Sequence, residues 1–294
     1  MPRWLFYTFL TMLLWGGWGL VSKPLSNAMS PWQVQALSSL GLLPVLVPLV
    51  LSRHFQTGSN RRRGFVYGFI AGLAGSAGNV ACYQAMAAGG QAAAVIPLTS
   101  LYPLVTIVLA RVVLRERLNP IQFCGIGISL LALFVLNVGG DSAWLTPWLV
   151  VALIPVALWG VAALLQKLST LHAATELSTF AFLLGFAPLA VLTPLVQPME
   201  SSLSGATWGL LLLLGLLFGL GNLTLMAAYA RGGRAAIVTP LASLYSLVTI
   251  PLAVLLLGEK IAVREAAGIG LALLAVVALS FEKPARELSA SAGA

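Results

Sequence analysis

Charged residues are scarce in this sequence. Asp, Glu, Lys and Arg together make up 8% of its 294 residues, whereas hydrophobic residues make up 59%. A soluble domain usually carries about a quarter charged residues, so too few polar side chains are present to cover a globule in water. The mean hydropathy of +0.97 agrees with this conclusion. The composition therefore excludes an ordinary soluble domain and predicts a polytopic membrane protein.

Cysteine and histidine are also rare, which limits the chemistry that the chain can perform. The two cysteines, Cys82 and Cys124, both lie in apolar stretches and do not support a disulfide framework. The two histidines, His54 and His172, are far apart in the sequence and offer no metal-ligand spacing. The sequence also lacks a phosphate-binding Gly-x-x-x-x-Gly-Lys-Ser/Thr loop and a nucleophile–base pair. We therefore expect no cofactor, no metal site and no enzymatic activity.

Long apolar runs dominate what is present. A membrane-spanning helix needs about 20 mostly apolar residues. Ten such runs follow one another with short loops between them, at residues 4–22, 31–52, 64–86, 91–113, 119–137, 145–167, 175–196, 206–229, 234–257 and 262–281. The strands of a membrane β-barrel would alternate with a period of two and would be about half as long. The runs predict an all-α integral membrane protein with ten transmembrane helices, and we expect the first run to be a helix rather than a cleaved signal peptide.

Basic residues are clustered between the apolar runs. The formal net charge is +8, but the short clusters are typical of membrane topology rather than of a nucleic-acid-binding face. If the N-terminus is cytoplasmic, only Lys23, Lys260 and Arg264 among the 16 Lys and Arg lie on the outer side. The positive-inside rule therefore predicts that both termini are cytoplasmic. We expect the lipid bilayer, and no nucleic acid, as a partner.

The sequence repeats itself. Residues 87–110, AAGGQAAAVIPLTSLYPLVTIVLA, match residues 230–253, ARGGRAAIVTPLASLYSLVTIPLA, with an offset of 230 − 87 = 143. Near the start, LLWGGWGLVSK at 13–23 matches ALWGVAALLQK at 157–167. These matches predict two five-span units, at 1–138 and 139–282, followed by a polar cytoplasmic tail at 283–294.

An odd number of spans in each unit predicts that the second unit is inverted in the membrane. The charges agree with this interpretation, because the outer residues Ala88 and Gln91 correspond to the inner residues Arg231 and Arg234. Inverted repeats are typical of secondary transporters that work by alternating access around a central cavity. A duplicated channel or scaffold without alternating access is the alternative.

Several stretches resemble a known family. LLWGGWGLVSK, PLTSLYPLVTIVLARVVLRERLNPIQFCGIGISLLALFVL and PLAVLLLGEKIAVREAAGIGLALLAVVAL resemble the EamA branch of the drug/metabolite transporter superfamily, and the likeness covers about residues 4 to 281. Within that branch the chain is most similar to bacterial aromatic amino acid exporters. The resemblance implies ten helices, with helices 1, 3, 4, 6, 8 and 9 around a cavity. It also implies a bacterial inner membrane and the export of amino acids, metabolites or drugs.

Polar and aromatic side chains within the spans are the candidate substrate-binding residues, because burying them in lipid is costly. These candidates are Trp15, Trp18, Asn79, Tyr83, Gln84, Ser100, Tyr102, Trp159, Lys167, Asn222, Ser243 and Tyr245. Pro97 and Pro240 are candidate hinges, because a proline frees a backbone carbonyl and lets a helix flex. The alternative roles are helix–helix hydrogen bonding, ring packing and, for Lys167, extension towards the lipid headgroups.

Acidic residues are confined to the ends of the spans. We expect Glu116 and Glu259 to pair with Arg115, Arg117 or Lys260. No span contains an interior carboxylate that could carry a proton, so a facilitator fits the sequence as well as a proton-coupled carrier does. The sequence thus predicts a secondary transporter that exports small organic solutes, with aromatic amino acids as the leading substrates and a monomer as a possible form. Multidrug efflux is the first alternative, and a scaffold or enzyme the second.

Overall fold

The computed structural model describes residues 2–113, 119–137, 147–199, 202–233 and 235–279. All regular elements of these residues are helical, as the sequence predicts. The α helices are α1 (Arg3–Ala28), α2 (Pro31–Ser38), α3 (Leu43–Leu51), α4 (Arg61–Ala87), α5 (Ala92–Thr99), α6 (Tyr102–Val113), α7 (Pro120–Asn137), α8 (Pro147–His172), α9 (Thr175–Leu184), α10 (Ala187–Val196), α11 (Gly205–Ala230), α12 (Ala235–Ser243), α13 (Ser246–Leu257) and α14 (Val263–Leu279). A 3-10 turn, Ser39–Leu42, joins α2 to α3.

Eight helical stretches of the described chain are long and apolar enough to cross a membrane. They are Arg3–Ala28, Pro31–Leu51, Arg61–Ala87, Ala92–Leu109, Pro147–His172, Thr175–Val196, Gly205–Ala230 and Val238–Leu257. The fifth and tenth predicted spans coincide with α7 and α14, whose apolar stretches are shorter, at Phe123–Ala132 and Ala266–Ala278. The multi-pass prediction is confirmed, whereas the count of ten stays a prediction. Arg115, Glu116, Arg117, Arg234 and the tail at 283–294 lie outside the described residues.

Four of the spanning stretches are broken near their middles. The breaks lie at the 3-10 turn between α2 and α3, at Ser100–Leu101, at Gly185–Phe186 and at Leu244–Tyr245. Pro97 and Pro240 precede two of these breaks by a few residues, and a proline removes one helical hydrogen bond. The hydroxyls of Ser100 and Ser243 donate to the nearby carbonyls of Ile96 (2.8 Å) and Pro240 (2.7 Å). Each of these hydroxyls is therefore satisfied by a carbonyl of its own helix next to the break.

Long helices pack pairwise through small residues. The most extensive contacts join α4 with α8, α1 with α11 and α7 with α14. A Cβ atom added to Gly41 would overlap the Leu212 carbonyl, and one added to Gly72 would overlap the Phe182 carbonyl. Glycine lets helix backbones approach this closely, which is the usual packing device of membrane helices. These contacts bring the 3-10 turn against α11 and α9 against α4.

Two Gly-Gly turns end the helices α4 and α11. Gly89 and Gly232 have positive φ angles of 99° and 88°, which favour glycine over residues with a Cβ atom. The next glycines, Gly90 and Gly233, donate their N–H groups to the carbonyls of Ala85 (3.1 Å) and Ala228 (3.0 Å). These hydrogen bonds cap the helix ends, so that α5 and α12 can start after a turn of a few residues.

Candidate functional site: a central aromatic cavity

A central cavity lies between α1, α4, α8, α9 and α11 and the breaks at Ser100–Leu101 and Leu244–Tyr245. It leaves about 50 Å³ for the centres of water-sized molecules. Its lining consists of Trp15, Trp18, Gly75, Tyr102, Trp159, Ala162, Ala163, Gln166, Phe182, Phe218, Asn222 and Tyr245. Rings form most of the wall, and none of these lining residues carries a charge. Such a space suits flat organic molecules without a large net charge.

Trp18 packs against four other aromatic rings. Its ring centroid lies 5.8 Å from those of Trp159 and Phe218, 6.0 Å from that of Tyr83 and 6.5 Å from that of Tyr245. The indole Nε1 of Trp18 donates to the Tyr83 hydroxyl at 3.2 Å. Because each ring is held by its neighbours, a molecule entering the cavity must displace or slide between rings that already pack against one another.

The other two indoles occupy corresponding places on α1 and α8. Trp15 meets Tyr245 edge-to-face at 6.0 Å, and Trp159 meets Tyr102 edge-to-face at 6.2 Å. Trp159 donates to the Gly75 carbonyl at 3.3 Å, whereas the buried Nε1 of Trp15 has no hydrogen-bond partner in the described chain. This Nε1 faces the backbone of α11 beside Gly221, as Nε1 of Trp159 faces α4 beside Gly78.

Two amides form the polar part of the cavity wall. Gln166 donates from Nε2 to the Oδ1 of Asn222 at 3.0 Å, and Asn222 donates from Nδ2 to the Phe218 carbonyl at 2.9 Å. Both side chains are buried. Neutral amides can both donate and accept, so this pair can orient a polar group of a solute without supplying a counter-charge.

Half of the candidate residues from the sequence line this cavity. They are Trp15, Trp18, Tyr102, Trp159, Asn222 and Tyr245. Asn79 and Tyr83 instead line a smaller recess on the other side of Trp18.

The remaining candidates lie away from both spaces. Ser100 and Ser243 bond to their own helices, and Gln84 is exposed on the outside of α4. The ammonium group of Lys167 lies 5.9 Å from the centroid of the Tyr229 ring. For these four residues, direct contact with a solute stays a prediction that the geometry does not favour.

The sequence analysis missed several cavity residues. Gln166 carried a usable signal, because it is an amide within an apolar span next to Lys167. Phe182 and Phe218 carried none, since a phenylalanine in an apolar span is as consistent with lipid contact as with a cavity wall. Only the packing of α11 against α1 and of α9 against α4 and α11 shows that these two rings face inward.

Lys23 and Glu259 join distant segments at one end of the bundle, here called the Lys23–Glu259 clasp. The Lys23 ammonium donates to the carbonyls of Met86 (3.1 Å) and Gly90 (2.6 Å). The Glu259 carboxylate accepts the N–H groups of Ala92 and Ala93, each at 2.9 Å. Glu259 therefore caps α5 at its positive end, and Lys23 lies close enough to interact with its charge. This arrangement corrects the expectation that Glu259 pairs with Lys260.

Spanning helices packed around an internal cavity define a multi-pass helical membrane protein. The sequence model of the EamA-like transporter family matches residues 2–138 and 146–281, and the chain belongs to that family. It is therefore a membrane transporter of small solutes. A solved crystal structure shares its fold, with a TM-score of 0.66, 19% sequence identity and 98% of each chain covered. Among curated proteins no sequence matches the chain significantly.

Proposed function

We propose that the protein exports small organic solutes, with aromatic amino acids as its leading substrates. The observation that carries this proposal is the cavity wall, in which the edge-to-face pairs Trp15–Tyr245 and Trp159–Tyr102 share the lining with a neutral amide pair. Flat rings stack well on aromatic substrates, and the amides can bind polar groups. The missing counter-charge in the lining disfavours cationic drugs, which are the substrates expected of the multidrug alternative.

The proposed mechanism is alternating access by two inverted five-helix units. Supporting contacts recur at equivalent positions: Thr249 donates to the Gly16 carbonyl, and Thr106 donates to the Gly160 carbonyl, both at 3.0 Å. The family's sequence model also matches the chain twice. Under this proposal ten helices cross a bacterial inner membrane, and both termini are cytoplasmic.

The small size of the cavity also supports a cycle of closed and open forms. About 50 Å³ for the centres of water-sized molecules holds a few waters but not a whole aromatic amino acid. Substrate binding therefore requires Trp15, Trp18 or Phe218 to move. Movement of helices at their breaks would provide this space on one side at a time.

Efflux from proteoliposomes tests the proposed function. Vesicles loaded with labelled phenylalanine or tryptophan should lose it faster than protein-free vesicles, while lysine, which carries a net charge, should be retained. Replacing Trp159 by alanine removes one aromatic face of the cavity wall. The lost ring contact with a flat substrate, worth about 0.5–1.5 kcal/mol, should slow efflux about two- to tenfold.

Trp208→Ala is the matched control, because Trp208 is a partly exposed tryptophan on α11 that does not line the cavity. It should transport at the wild-type rate. Efflux no faster than from empty vesicles would reject the proposed function. Equal rates for wild type and Trp159→Ala would reject the cavity as the binding site.

A further inference from the structure

A small recess with both polar and apolar lining residues lies beside the central cavity, between α2, α4 and α11. Trp18 and Phe218 line both spaces and form the wall between them. The recess leaves about 10 Å³ for the centre of a water-sized molecule, which is room for one small occupant. Oxygen-bearing side chains dominate its polar lining; these are Gln35, Ser38, Ser39, Asn79 and Tyr83.

Two oxygen atoms in this lining have no hydrogen-bond donor in the described chain. They are Oε1 of Gln35 and Oδ1 of Asn79, and their residues are only 2% and 1% exposed. The amide nitrogen of Gln35 is used, because it donates to Ser39 Oγ at 3.3 Å. The Tyr83 hydroxyl accepts from Trp18 and also interacts with the side-chain amide of Asn79. The recess therefore has spare acceptors, and unpaired buried acceptors require a donor or a cation.

The helix break next to the recess adds to its negative character. The helix α2 ends at Ser38, and the 3-10 turn Ser39–Leu42 follows within the span. The C-terminal end of a helix carries partial negative charge, although the Gln35 carbonyl here already accepts from the Ser38 and Ser39 hydroxyls. In transporters with interrupted helices, such half-helix ends and their carbonyls coordinate monovalent coupling ions. No residue that lines the recess carries a charge of either sign.

We propose that this recess binds a sodium ion through the neutral oxygens of Gln35 and Asn79, with hydroxyl oxygens completing its shell. Hard cations take oxygen ligands, and a divalent ion would lack the carboxylates that it needs here. The ammonium group of an amino acid is a poorer fit, since the space does not hold the rest of that molecule. The ion would couple to transport through Trp18, whose ring separates it from the solute cavity. This site goes beyond the proposed function by adding a coupling ion.

Direct sodium binding to the purified full-length protein tests the site without any transport step. Binding of ²²Na⁺ would be measured by scintillation proximity in detergent at constant ionic strength, with choline chloride replacing sodium chloride. Tryptophan fluorescence would be followed in parallel, because Trp18 lines the site. We expect saturable binding, a matching fluorescence change and no such change with choline. A recess that holds only a water molecule would give no saturable sodium signal, and that result would overturn the proposal.

Two substitutions locate the sodium site. Gln35→Leu and Asn79→Leu each remove one ligand oxygen at similar volume and should weaken sodium binding at least about tenfold. The matched control is Gln33→Leu on the same helix, since Gln33 donates to the Pro198 carbonyl and does not line the recess. It should bind sodium like the wild type. Unchanged binding in both recess variants would reject the site.

A carboxylate substitution covers the case in which the leucine variants do not fold. Gln35→Glu keeps the side-chain shape and adds a negative charge, so it should bind sodium about tenfold more tightly at high pH. Weaker or unchanged binding in this variant would overturn the proposal. Transport is a separate readout: sodium binding without amino acid efflux would reject the proposed function alone, and efflux without sodium binding would reject this inference alone.

Discussion

At the scale of single residues, two glycines determine how deeply the indole rings sit in the bundle. A Cβ atom at Gly78 would lie 2.5 Å from Nε1 of Trp159, and one at Gly221 would overlap the Trp15 ring. Each glycine thus provides the space in which a tryptophan from the neighbouring helix packs. The two positions correspond in the repeat, so the same device is used on both sides of the cavity.

A larger side chain at either glycine should displace the indole. We expect Gly78→Val and Gly221→Val to cost about 1–3 kcal/mol through overpacking and to lower the melting temperature of the purified protein. Gly209→Ala is the control, because a Cβ atom there meets nothing within 4 Å. Alanine should stabilise that helix by about 0.5–1 kcal/mol. Melting temperatures that fall equally in all three variants would contradict this account.

Single residues also show how far the sequence could predict the site. Trp15, Tyr102, Trp159 and Tyr245 were predictable, because they recur at matching places in two otherwise apolar repeats. The sequence could not show which of the neighbours Tyr83 and Gln84 faces the interior, because a helix whose faces are all apolar has no polar side to mark the outside. The structure places Tyr83 in the interior and leaves Gln84 exposed.

At the scale of helices, the breaks in the spans are the elements that can move. The breaks after Pro97 and Pro240 carry Tyr102 and Tyr245, so bending there moves the cavity wall. These breaks were predictable from the prolines. The breaks at Ser39–Leu42 and Gly185–Phe186 also had a sequence signal, because Pro44 and Pro188 stand in the first turns of the helices that follow. The contacts of Gly41 and Gly185 with other helices had none.

Removing the prolines should therefore slow transport. Pro97→Ala and Pro240→Ala restore a backbone donor and favour a continuous helix, since a proline inside a helix costs about 3 kcal/mol. We expect several-fold slower efflux with unchanged or higher thermal stability. Pro251→Ala, at an exposed site within α13 and away from the breaks, should leave the efflux rate unchanged. Wild-type efflux in both hinge variants would show that these breaks do not act as hinges.

At the scale of the whole molecule, the Lys23–Glu259 clasp ties the loop after α13 to the start of α5. Glu259 and Ala92 are 167 residues apart in the sequence. The sequence could predict the two repeated units and their charges, but not this contact. The partners of both charged groups are backbone atoms, which leave no pattern in the side chains.

Weakening this clasp should increase the population of conformations in which the buried side of α5 is open to water. Glu259→Gln removes the anion at the start of α5. The interaction of this anion with the helix N-terminus contributes about 0.3–2 kcal/mol to the closed conformation, so buried positions on α5 should become exposed to water more often. We would measure the labelling rate of Thr99→Cys by a water-soluble thiol reagent, in a protein that also carries Cys82→Ala and Cys124→Ser. Thr99 is fully buried, and we expect its labelling to rise about 2- to 10-fold.

The control for this measurement is Glu176→Gln, which removes an acidic residue from the first turn of α9. It should leave the labelling of Thr99→Cys unchanged. If Glu259→Gln labels no faster than the parent protein, the clasp does not hold the bundle closed.

The clasp also limits what sequence covariation and alanine scanning can reveal about this family. Lys23 and Glu259 bond to the main-chain carbonyls of Met86 and Gly90 and to the main-chain N–H groups of Ala92 and Ala93. Substitutions retain these groups, except that a proline would remove an N–H. Apart from the turn glycines, the amino-acid sequence of this segment can therefore change during evolution without weakening the contact. Apart from each other, Lys23 and Glu259 would then show no covarying positions across homologues, and an alanine scan of residues 86–93 would pass over the contact. Replacing individual amides by esters in that segment would reveal it.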